Sequence, residues 1–139
     1  HQALDIASQA LSVAQNPKIN NHFFAILLQM VMAKASIGVS DFESAKIHIE
    51  NAIITARQYG LNDLLSRLYL QYGQYFQELG LMKSQRQKDY LTGASKMYEK
   101  ASEIVRETKN NSVHLEIQKA KAVLKTFCQL NKIDIALKN

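Results

Sequence analysis

The chain has 139 residues, 47% hydrophobic and 21% charged, with a formal charge of +5; such a balance builds a buried core and excludes a disordered chain. Cys128 is its one cysteine, which excludes an internal disulfide and a cysteine-based metal cluster. No apolar run reaches the roughly 18 to 20 residues that span a bilayer, and so small a basic excess is the ordinary mark of a solvated surface.

One proline and five glycines leave long stretches free of breakers, and within them apolar residues recur three and four apart, as one helix face requires. A first helix is expected from Ala3 to Gln15, ended by Asn16-Pro17 because proline cannot continue the backbone ladder. The second, from about Asn21 to Ile37, is apolar nearly all round, which predicts burial between neighbours. Ser40 or Asp41 caps a third that closes at Tyr59-Gly60, with Glu43 near its start and Arg57 near its end, as the helix dipole prefers. A fourth spans Asn62 to Leu79, with Gly80 as a left-handed stop. A fifth runs from Tyr90 to Thr108, or begins earlier, since Lys83 to Lys88 is polar but helix-compatible. After the turn at Asn110-Asn111-Ser112, a sixth covers Val113 to Leu130, and Lys132 to Lys138 is expected to open a seventh.

Three of these segments share a phrase: Ala3, Ala7, Ala10; Ala45, Ile49, Ala52; Ala94, Tyr98, Ala101. Ala136 starts a fourth copy, and the opening alanines are 42, 49 and 42 residues apart. The phrase from Asp41-Phe42-Glu43-Ser44-Ala45 to Ala52-Ile53, with Tyr69, Tyr72-Gly73, Phe76 and Gly80, resembles the tetratricopeptide repeat family. The resemblance implies an all-α fold, a right-handed superhelix of antiparallel helix pairs, with about six to seven helices for this length. Residues 1–139 would then be a single repeat domain, a piece of a larger protein. The spacing exceeds the family's usual 34 or so and looks like the long-helix variety found in regulatory arms of bacterial transcriptional activators and in some eukaryotic assembly subunits. The stretch Leu81 to Gly93 is longer than a tight turn between paired helices; it either extends a helix or forms a surface ridge.

Nothing in the sequence argues for catalysis. The four histidines, His1, His22, His48 and His114, are scattered and lack the i, i+4 spacing of a metal motif. Cys128 reads as a small apolar residue on a helix face. The carboxylates sit beside lysines and arginines at helical spacing, as in Glu99, Glu103 and Arg106, and read as solvated faces. The aromatic stripe Tyr69, Tyr72, Tyr75, Phe76 suits a core better than base stacking. No cofactor, metal or membrane is expected; the lone cysteine fits a reducing, cytoplasmic setting.

The resemblance therefore implies a non-catalytic scaffold that holds a partner in a concave groove. If Tyr69, Tyr72, Gly73 and Phe76 face the inter-helix core, then Arg67, Leu70, Gln74 and Gln77 point into that groove. The same offset selects Gln118, Lys121, Lys125 and Cys128 in the next unit, and Leu27, Met30, Lys34 and Ile37 in the earlier one. The lysines and Arg67 suit an acidic protein or peptide. The lysine and asparagine set with which some family members clamp a C-terminal carboxylate is not reproduced here. A ligand- or peptide-sensing repeat domain of a transcriptional regulator and a basic nucleic-acid binder are the alternatives, the latter disfavoured by the modest charge. Exposed end repeats would also allow self-association, since a unit cannot bury its apolar face without a neighbour.

Overall fold

The computed structural model describes residues 22–82 and 84–137. Every regular element among them is an α-helix: α1 (His22–Gly38), α2 (Phe42–Gln58), α3 (Asn62–Gly80), α4 (Gln87–Thr108) and α5 (Asn111–Leu130). The helix expected at Ala3 to Gln15 lies outside the described residues. The chain divides into two compact units, with the boundary between Leu64 and Leu65.

In the first unit α1 and α2 pack together, and the short turn between them makes the pair antiparallel. Asp41 starts α2 by accepting the Ser44 backbone N–H at 3.3 Å, which satisfies a donor that no helical carbonyl can reach. Ala45, Ile49 and Ala52, the repeated phrase, are fully buried. The apolar surround of α1 does not produce all-round burial: Ala25, Ile26, Met32 and Ala33 are buried, whereas Phe23 and Val31 are about half exposed. One helix packed on another hides one stripe, and the remaining apolar residues of α1 stay on its open side.

Helix α1 ends through Ser40 and α2 through Gly60, both at positive φ. The N–H of Asp41 reaches Ser36 O and that of Leu61 reaches Ala56 O, the six-residue closure that a left-handed residue makes possible. Gly80 is different. It is the last residue of α3 with no positive φ, so it is not a left-handed stop. Its hydrogen is required because a Cβ there would run into the Leu91 side chain.

In the second unit α3 and α4 are antiparallel, since Gly80 meets Leu91, Phe76 meets Gly93 and Gly73 meets Tyr98. Gly73 lies against the Tyr98 ring, where any Cβ would overlap it. Tyr98 is fully buried with its hydroxyl donating to Gln77 Oε1 at 2.6 Å; burial and the nearby Glu78 carboxylate push its phenol far above the ordinary value. Ala94 and Ala101 flank it, also fully buried. The 81–93 stretch resolves into a turn followed by two turns of helix, because α4 begins at Gln87, whose side chain donates to Gly80 O at 2.9 Å.

Helix α5 is capped by Asn110, which accepts from the Val113 N–H, and packs on α4. It ends through Lys132 at φ +55, with the Ile133 N–H on Cys128 O. The seventh helix does not form over the described residues: 133–137 run without regular structure. Ala136, expected to begin a fourth repeat phrase, is exposed, and its carbonyl is bonded to Ser95 rather than into a helical turn.

Candidate functional site

The second unit carries a cleft between α4 and α5. Ser95 and Glu99 stand one turn apart on α4, facing Gln118, Lys121 and Lys125 on one stripe of α5, and Leu137 closes the hollow of about 210 Å³. Spacings of three and four residues put each set on a single helix face. A second hollow of about 410 Å³ shares Ser95 and Glu99, runs along α4 past Lys96, Lys100 and Glu103, and is bounded by Ala136. From the non-helical segment 133–137, Leu137 borders the first hollow and Ala136 the second, and the Ser95 hydroxyl donates to the Ala136 carbonyl at 3.1 Å.

Charge in the cleft is partly neutralised. Lys121, its side chain only 15% exposed, lies 3.3 Å from Glu99 Oε2, and Arg106 reaches Oε1 at 3.4 Å. Glu99 thus serves two cations, one of them drawn out of solvent. A cation so paired orients the helices more than it attracts a ligand. Lys125, exposed beside the same hollow, is the cation open to an incoming group.

Gln118, Lys121 and Lys125 line one hollow together, opposite Ser95 and Glu99 of α4. The α3 set is split. Gln74 is exposed and Arg67 half-buried, but Leu70 is buried, 5% exposed, so it does not line an open groove. Gln77, expected to face away from the core, instead accepts a hydrogen bond from the Tyr98 hydroxyl in the α3–α4 seam. Cys128 is buried too, and burial pushes its thiol up, so it is neither a groove residue nor a ready nucleophile. Lys34, like Leu27, is exposed and belongs to the first unit.

Sequence reasoning missed Ser95, Glu99 and the 133–137 segment. Ser95 and Glu99 form an i, i+4 pair beside the buried Ala94 and Tyr98, and that adjacency was the available signal. Glu99 had been read only against Arg106 on its own helix, not across to α5. The aromatic stripe of α3 is packed: Tyr69 and Tyr75 are buried, and Tyr72 stacks on Phe76 with centroids 4.8 Å apart.

Among the described residues no group of histidine, cysteine and carboxylate side chains could hold a metal ion, and no helix is long and apolar enough to cross a membrane. No protein-family model, curated protein or solved structure matches the chain.

Proposed function

We propose that this chain is a tetratricopeptide-like helical repeat that works as a non-catalytic scaffold, and that its partner is an extended protein segment held in the α4–α5 cleft. In this reading the helix pairs continue the repeat as a right-handed superhelix. Support for the repeat comes from the twice-used phrase, Ala45, Ile49, Ala52 and Ala94, Tyr98, Ala101, all six residues being fully buried.

The observation that carries the functional reading is the bond from Ser95 to the Ala136 carbonyl. A cleft that already receives a main-chain acceptor from a non-helical segment has the polar group and the width that peptide recognition needs, and main-chain bonds supply affinity without demanding one sequence. Lys125 gives the site a preference for an acidic segment, and a single exposed charge of this kind adds on the order of a few tenths to 1 kcal/mol.

Titration of isotopically labelled protein with extended acidic nonapeptides tests the assignment. Resonances of Ser95, Gln118 and Lys125 should move first, and Lys125→Glu should weaken the acidic peptides severalfold. Shifts confined to α3 or to α1 and α2 would place the partner elsewhere.

A further inference from the structure

Residues 133–137 alternate in exposure: Ile133, Ile135 and Leu137 are half-buried, whereas Asp134 and Ala136 are exposed. That period of two belongs to extended backbone, where successive side chains point to opposite sides. The segment thus has the exposure pattern of an extended peptide, with the half-buried aliphatic residues at every second position, Leu137 in the wall of the α4–α5 hollow and a main-chain carbonyl on Ser95. Its attachment is light. It carries no regular structure, one side-chain hydrogen bond, and a tether whose Lys132 takes a left-handed conformation that a residue with a side chain does not favour.

Resting on the peptide-scaffold reading above, we infer that the α4–α5 cleft is a docking groove for an extended partner segment with aliphatic side chains at alternate positions, and that Ile133, Ile135 and Leu137 occupy that groove in cis until such a segment displaces them. The cis occupant sets the chemistry of the partner: hydrophobic at every second residue, small or acidic between, as in Ile133-Asp134-Ile135-Ala136-Leu137. Lys125 lies at the hollow that Leu137 closes, so an acidic residue near the partner's last aliphatic position meets the open cation. Cis occupancy lowers the apparent affinity of any partner by the fraction of time the groove is free. A partner must therefore outcompete the segment, and loosening the segment must strengthen binding without any new contact.

The probe is a fluorescein-labelled peptide of this chain's own residues 131–139, titrated into the full chain by fluorescence anisotropy. The full chain should bind it weakly, and the double variant Ile135→Asp with Leu137→Asp, which unseats the cis segment, should bind it at least about tenfold more tightly. Adding Ser95→Ala should reduce that gain severalfold. Equal affinity for parent and double variant, still lowered by Ser95→Ala, would overturn the competition while leaving the cleft as the peptide site. Absence of binding by either protein, with helical circular dichroism intact, would overturn the peptide reading itself and the inference with it. A second measurement uses the unaltered chain, should the double variant fail to fold: an excess of unlabelled peptide should move the amide resonances of Ile135 to Leu137 to random-coil positions. Saturation of the peptide with those resonances unmoved would also overturn the competition.

Discussion

Gly73 and Gly60 lack a side chain for two different reasons, and Gly38 for neither. At Gly73 a Cβ would overlap the Tyr98 ring, and that ring cannot retreat because it is fully buried and bonded to Gln77. Gly73→Ala should therefore cost about 1 to 3 kcal/mol in chemical denaturation despite the better helix propensity of alanine. Gly38 has open space around it and sits in the last turn of α1, so Gly38→Ala should be neutral or stabilising by up to about 1 kcal/mol. Gly60 also has open space, but its φ is +64°; Gly60→Ala should lose about 1 kcal/mol through backbone strain alone. Equal effects at the three sites would mean that the α3–α4 seam is looser than its geometry indicates. Tyr98→Phe should cost about 0.5 to 1.5 kcal/mol by removing the bond to Gln77. His48 gives a pH signature. Burial pushes its imidazole below the ordinary 6.5, against an opposing pull from Asp41, so the unfolded chain takes up the proton first. The contribution is complete above pH 6.5 and declines as pH falls from there through the lowered folded value. The melting temperature of the parent should fall relative to that of His48→Gln over that window, and a constant difference would contradict the assignment.

Helix boundaries were largely legible, because caps and breakers act locally. Asp41 and Asn110 accept from the third residue beyond them, as short polar side chains do at helix starts. Asp41→Ala and Asn110→Ala should each cost about 1 kcal/mol, measurable as additive losses since the caps belong to different helices. The buried phrases of α2 and α4 could be read because small residues at i and i+7 mark a close seam. Two features escaped. The seventh helix failed to form because Lys132 turns the chain left-handed and Ala136 gives its carbonyl to Ser95, a tertiary bond that helical periodicity cannot reveal. Half the α3 groove set was misplaced for a related reason. Leu70 is buried and Gln77 accepts the Tyr98 hydroxyl, so both are taken up by packing. Gln118, Lys121 and Lys125 share one stripe of α5 by their three- and four-residue spacing, and that stripe borders the α4–α5 hollow.

At the scale of the whole molecule, function depends on whether the α4–α5 cleft takes an extended segment from a partner. In the cleft Glu99 is held between Arg106 and Lys121. What the cleft offers is a hydroxyl at hydrogen-bond range of a main chain, an open lysine and hollows bordered by Leu137 and by Ala136. The most direct measurement is selection of binders from a randomised nonapeptide library on the immobilised full chain, followed by competition with the peptide of residues 131–139. The account predicts enriched peptides with aliphatic residues at every second position and an acidic residue near the end, displaced by that competitor and weakened by Ser95→Ala. Enrichment of an i, i+3, i+4 helical pattern, or of peptides that the competitor leaves bound, would contradict it.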